Sequence, residues 1–308
     1  MAISAAMVKE LRERTGAGMM DCNNALKHSE GDMERAIEFL REKGLAAAAK
    51  KAGRIASEGL VMCSLMPDNS LGSIVEVNSE TDFVAKNEDF RKFVENVAGL
   101  AMQYPGDDVA AFLERPWSFG GGSSVQEALV GKIAVIGENL SIRRKDVFLK
   151  QAPGMLVSYI HGGGRVAVMI ELACASEAEE ALTEAGKNLA MQIAAMNPRF
   201  VSRDEMPQEF IDKEREILKQ QALAEGKPEN IVEKMVQGRL NKSLMDFCLL
   251  EQEYVKDADL SVSAYLDSVS NQAGAPVSIT RFVRYETGEG IEKKEENFAE
   301  EVSKAMQA

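Results

Sequence analysis

Ser73-Ile74-Val75-Glu76-Val77-Asn78-Ser79-Glu80-Thr81-Asp82-Phe83-Val84-Ala85-Lys86-Asn87 carries an apolar run straight into a polar turn that sets an acid beside a large aromatic. Ile74, Val75 and Val77 read as a mostly buried strand, and Ser79-x-x-Asp82 reads as a capping-box-like opening of the next helix. Phe83 then falls in the first helical turn. A side chain there folds inward onto the sheet, the usual fate of a phenylalanine, or points outward to a partner. The local pattern leaves both open.

Outward from this stretch, strands and helices follow one another in a pattern that comes twice. Residues 60–65, a turn at Pro67-Asp68-Asn69-Ser70, the strand of Ile74 and a helix through Phe90, Phe93, Val97 and Leu100 form one unit. Residues 155–160, a glycine turn, residues 166–172 and a helix from about Glu177 form the other. Both helices contain Leu-Ala-Met-Gln, at 100–103 and 189–192. The core is therefore read as a duplication of α+β subdomains, one over 58–150 and one over 151–202 with 251–286. Residues 105–122 are read as a connecting insertion.

Residues 1–44 read as a module of three short helices. The first carries Ile3, Met7, Val8 and Leu11 at helical spacing and stops at Thr15-Gly16-Ala17-Gly18. The second holds Met19, Met20, Cys22, Ala25 and Leu26. The third begins after Gly31-Asp32, turns Ala36, Ile37 and Leu40 inward and closes at Lys43-Gly44, leaving 45–57 as a helical linker. Within 203–250, two helical stretches flank Gly226-Lys227-Pro228. Their apolar positions, Phe210, Ile211, Ile217 and Leu218, then Ile231, Val232, Met235, Val236 and Leu240, suit an antiparallel hairpin. Residues 278–286 alternate as a strand, and 287–308 form a C-terminal module whose Phe298, Val302 and Met306 predict a short amphipathic helix.

At 308 residues with 45% hydrophobic content, the chain is long enough for two or three compact units. A net charge of −13 argues against a nucleic-acid surface, because phosphate binding needs clustered Lys and Arg. Cys22, Cys63, Cys174 and Cys248 are far apart, with His28 and His161 the only histidines, which supports neither a zinc site nor a disulfide framework. No apolar run approaches the roughly 18 residues of a membrane span, and no signal-peptide core opens the chain, so a cytoplasmic protein is expected.

Several blocks in order now give the chain a likeness. Residues 73–87 and the run Leu11-Arg12-Glu13-Arg14-Thr15-Gly16-Ala17-Gly18-Met19-Met20-Asp21-Cys22 resemble the two signatures of the bacterial elongation factor Ts family, the guanine-nucleotide exchange factors of elongation factor Tu. Ile136-Gly137-Glu138-Asn139 with Arg143-Arg144, Ser158-Tyr159-Ile160-His161-Gly162, Glu233-Lys234-Met235-Val236 and Gly288-Glu289-Gly290-Ile291-Glu292-Lys293 are similar to it in the same order. The resemblance covers essentially the whole chain. It implies a ubiquitin-associated-like N-terminal module, a duplicated α+β core and an inserted hairpin that serves dimerisation. It also implies that Asp82 and Phe83, framed by Thr81 and Val84, enter the GTP-binding domain of elongation factor Tu and disturb its magnesium site. Leu11, Arg12, Met19 and Met20 are placed by the same likeness against another helix of that domain, and Ile136, Gly137 and His161 on a contact surface of the core. For Met19 and Met20 the alternative is plain core filling of a small bundle.

Enzymatic readings are weak beside this. His161-Gly162-Gly163-Gly164 has the letters of an esterase oxyanion loop, but no Gly-x-Ser-x-Gly supplies its nucleophile. No Gly-x4-Gly-Lys-Ser/Thr is present either, so no nucleotide or other cofactor is expected in this chain and the guanine nucleotide belongs to the partner. An adaptor whose N-terminal bundle merely captures a helix is the binding-only alternative.

Overall fold

The computed structural model describes residues 3–175, 178–226 and 228–292. The expected helix of Phe298, Val302 and Met306 lies outside them.

The N-terminal module is built from α1 (Ala5–Thr15), α2 (Met19–His28) and α3 (Met33–Lys51). Ser4 and Asp32 cap α1 and α3 with their side-chain oxygens, and Gly16 ends α1 in the left-handed region at φ +70°. Leu11, Cys22, Ala25, Leu26 and Ala36 form the module's fully buried centre. The third helix does not close at Lys43-Gly44 as expected, but runs on to Lys51. Gly44 is there for close approach, since a Cβ on it would sit 3.3 Å from Cγ1 of Val130 on the core. Residues 45–51 of the expected linker are thus the docking half of α3.

The first core unit comprises β1 (Glu58–Leu65), β2 (Leu71–Ser79), α4 (Asp82–Lys86), α5 (Glu88–Ala101), α6 (Val109–Leu113), α7 (Val125–Ile136) and β3 (Ser141–Leu149). The second comprises β4 (Gly154–His161), β5 (Val166–Cys174), α8 (Glu179–Met196), α9 (Gln208–Ala224), α10 (Glu229–Phe247), the small hairpin β6 (Glu253–Tyr254) and β7 (Asp257–Ser261), α11 (Val262–Ala273) and β8 (Val277–Glu286). Their sheets are antiparallel, ordered β1-β2-β3 and β4-β5-β8.

The two units match one another in detail. Each central strand bulges just after a buried glutamate, Glu76 in β2 and Glu171 in β5. Each glutamate pairs with an arginine on the third strand, Arg144 at 2.5 Å and Arg281 at 2.8 Å. Gly59 and Gly154, separated by the same interval as those glutamates, both take positive φ where a Cβ would strike the carbonyl of the central strand, that of Val77 or of Leu172. The sheets meet face to face through Val61, Ile74 and Phe148 of one and Leu156, Ala167, Met169 and Tyr285 of the other. Helices α5 and α7 cover the outer face of the first sheet, and α8 and α11 that of the second. With both faces covered, β2 is buried almost from end to end, which is why its sequence reads as a run and not as an alternation.

Two expectations change here. Residues 105–122 are not a bare connection: α6 lies in them, and Phe112 and Trp117 enter the first core, the indole 5.4 Å from the Phe93 ring. In the helical hairpin, α9 and α10 pack on each other through Leu218, Ala222, Val232 and Val236 toward the tip and Met206, Leu240, Leu244 and Cys248 at the root. Ile217, expected on that inner face, is 44% exposed.

Candidate functional site

After β2 the chain turns into α4, a helix of five residues. Ser79 does not cap it: its hydroxyl donates to the Thr81 carbonyl at 3.0 Å. Thr81 occupies the cap position in extended conformation and makes no side-chain bond within its own helix. Its N–H and its hydroxyl instead donate to the two carboxylate oxygens of Glu138, at 3.0 and 2.7 Å. One residue further, the Asn139 N–H donates to Glu80 Oε1 at 2.6 Å. Two loops distant in sequence thus each supply a carboxylate to the other's backbone.

Within α4, Val84 turns inward and is 7% exposed, so the residue before it, about 100° around the helix, turns outward. Phe83 is 78% exposed. The inward role falls to Phe90, fully buried on α5, whose first turn is capped by Asn87 at 3.0 Å from the Phe90 N–H. Asp82 accepts from Lys86 Nζ at 2.6 Å, and this bond holds its carboxyl below the ordinary aspartate range. The same ammonium stands 5.6 Å from the Phe83 ring centroid. An anion and an unpacked aromatic therefore project side by side from a short helix.

Ile136 and Gly137 are the neighbours of this turn. Ile136 ends α7, half-buried against the first core, and Gly137 caps it at φ +84° with its N–H on Ile133 O. That left-handed exit aims Glu138 at Thr81. His161 ends β4, exposed, with Nδ1 3.0 Å from the Tyr159 hydroxyl. Arg91 of α5 connects it to the site, donating to Ala85 O at the end of α4 and to Gly163 O in the glycine turn at 2.9 Å. The N–H groups of Gly164 and Arg165 both donate to His161 O, so these amides serve the turn and do not face an oxyanion. Sequence reasoning missed Arg91 and Glu138 as organisers. Glu138 stands in the run Ile136-Gly137-Glu138-Asn139, but an acid after a glycine gives no sign of a partner 57 positions away.

The N-terminal module supplies a second patch. Leu11 is corrected from surface to core: it is fully buried at the centre of the bundle and presents nothing to a partner. Arg12 is exposed, and so are Met19 and Met20, at 62% and 80%. The core-filling alternative for the two methionines is thereby removed. The patch is positioned on the core through α3 and α7, with Arg41 paired to Glu127.

Among the described residues, no group of three or more His, Cys, Asp or Glu side chains is placed to hold a metal ion. Burial pushes the Cys63 thiol up to about 12, which keeps it protonated and unreactive at neutral pH. No described helix is long and apolar enough to cross a membrane. The described surface thus presents one exposed aromatic beside an acid, flanked by a helix end and a glycine turn, with a methionine pair on a separate module.

Comparison with known proteins points to one family. The profile of the family described as "Elongation factor TS" matches residues 80–289. A protein named "Elongation factor Ts" from Clostridioides difficile (strain 630) is 53% identical over 306 residues, 99% of each chain. Those of the same name from Clostridium perfringens (strain SM101 / Type A) and Clostridium kluyveri (strain NBRC 12016) are 55% identical over 98% and 54% identical over 99% of each chain. A profile match across most of the chain and relatives this similar over nearly its whole length place the protein in the elongation factor Ts family of translation elongation factors.

Proposed function

We propose that this chain is a guanine-nucleotide exchange factor: it binds elongation factor Tu carrying GDP, inserts the Asp82-Phe83 turn to disturb the magnesium and nucleotide site, and promotes GDP release so that GTP can bind. The observation that carries the reading is Phe83, 78% exposed on a helix whose backbone is clamped from another element. An exchange factor must bind the nucleotide-free partner better than the nucleotide-bound one, and linkage makes the antagonism mutual. Each tenfold weakening of nucleotide needs about 1.4 kcal/mol of differential binding, and full burial of a phenylalanine yields roughly 1.5–3 kcal/mol. One wedge is of the right size to matter, though not sufficient alone.

On this reading the chain performs no chemistry and holds no nucleotide. Met19 and Met20 add affinity, since thioether side chains adapt to a helix surface. Ile136, Gly137 and His161 border the wedge. The projecting hairpin, with Ile217, Leu223 and Met245 exposed along it, serves self-association. The site of action is the cytoplasm. The test is release of a fluorescent GDP from purified elongation factor Tu with and without the chain. Acceleration supports exchange; binding without acceleration would leave only the adaptor, and tight GDP binding by the isolated chain in calorimetry would overturn the assignment of the nucleotide to the partner.

A further inference from the structure

We infer that Glu138 is a positioning residue for exchange: its carboxylate, reaching from the end of α7, fixes the backbone of Thr81 and thereby the direction in which Phe83 leaves the surface. The inference rests on the exchange reading. Phe83 has too little packing of its own to be held by side-chain contacts. Its helix is a single turn long, and a helix so short is not stable without outside support. The N-terminal N–H groups of a helix need acceptors, and the usual capping oxygen is lacking, because Thr81 makes no bond within α4 and Ser79 is engaged elsewhere. Glu138 satisfies the Thr81 N–H and hydroxyl together. The reciprocal bond from Asn139 N–H to Glu80 closes a ring between the two loops, and the Asn139 side chain anchors that ring to Arg54 O at 2.8 Å. With Val84 seated in the core on the far side, α4 is held at its start and on its inner face, and Phe83 has one direction open.

A wedge that must enter a partner in one orientation loses efficacy when its mount loosens, even if the ring itself is intact. The experiment measures GDP release from elongation factor Tu against chain concentration for the wild type, Glu138→Ala, Glu138→Gln, Phe83→Ala and the double variant Phe83→Ala/Glu138→Ala. Glu138→Ala is expected to lower the maximal acceleration about tenfold while the half-saturating concentration shifts less than about threefold, because the methionine patch still binds. Glu138→Gln retains an oxygen acceptor for Thr81 and should recover most of the loss. In the Phe83→Ala background, removing Glu138 should change the rate less than about twofold, since a mount without its wedge has nothing to aim. A general loss of stability would not produce that coupling.

A folded Glu138→Ala with the wild-type maximal rate, or full additivity with Phe83→Ala, overturns the inference and leaves the exchange reading standing. A wild-type chain that accelerates nothing overturns both. If Glu138→Ala does not melt cooperatively, Thr81→Val, which removes only the hydroxyl donor, carries the test: a severalfold lower maximal rate supports the role and an unchanged rate refutes it.

Discussion

Replacing Phe83 with alanine separates a wedge from a core residue by magnitude. With 78% of its surface exposed, the side chain gives the free chain only about a fifth of the roughly 1.5–3 kcal/mol that full burial would bring, or about 0.3–0.7 kcal/mol. Alanine is the better helix former by about 0.5 kcal/mol, which offsets most of that loss. Melting temperature should therefore move by no more than about 2 °C. Against the partner the account reverses. The remaining four-fifths is worth about 1.2–2.4 kcal/mol, so GDP release at a fixed subsaturating concentration should fall by about seven- to fiftyfold. The assay pairs fluorescent-GDP release with a thermal melt of the same preparation. A stability loss of about 3–5 kcal/mol, the usual cost of truncating a buried phenylalanine, together with unimpaired exchange would refute the reasoning from exposure.

Leu11→Ala and Met20→Ala should diverge in the opposite sense: the first costs about 2–5 kcal/mol and loosens the module in hydrogen exchange, whereas the second leaves stability within about 0.5 kcal/mol and weakens partner affinity in titration. For Glu76, burial drives the carboxyl up, but the Gly288 N–H, Asn78 and Arg144 outweigh it and hold it below the glutamate value of 4.5. A depressed folded-state value means stability present above the unfolded value and lost as pH falls through the folded one, so urea midpoints should drop below about pH 4.5, and less steeply in Glu76→Gln. Exchanging residues 215–235 for a short Gly/Ser link removes the outer hairpin and keeps the root cluster of Met206, Leu240, Leu244 and Cys248. GDP release should stay accelerated while self-association in sedimentation falls, and loss of exchange in a cooperatively melting variant would assign the hairpin to the partner contact.

Five of the strands, the likeness of the two core units, the hairpin and the position of the Phe83 turn were legible because each is written in local periodicity. Strand β3 was missed because Arg143, Arg144, Lys145 and Asp146 interrupt it with charge. Only the fold explains two of those charges, as arginines brought to a buried Glu76 on the neighbouring strand. Gly44 read as a helix stop because sequence does not announce that α7 will pass within a methyl's reach. Leu11 lay in a resembling motif whose exposed members are its neighbours in space and not in the bundle's interior. The direction of Phe83 depended on Val84 taking the inner face and on Glu138 holding the turn, and neither contact leaves a pattern in the local sequence.

The clip at Glu76 also sets an order of events during synthesis. The first sheet is complete once β3 has left the ribosome, but β5 waits for β8 across roughly a hundred residues that include the whole hairpin, some 5–20 seconds at about 5–20 residues per second. Throughout that interval one edge of β5 stands open to other nascent chains. Glu76 waits longer still, since its Gly288 donor lies 212 positions downstream and Arg144 also reaches to Glu286 O and Glu289. Until those residues emerge, the finished half of the molecule carries a buried carboxylate lacking one of its donors. The turn at Gly288 is thus a late-made latch that joins the first half of the chain to a segment 212 positions downstream, and a ribosome stalled short of residue 288 would hold a first half that is folded but unlatched.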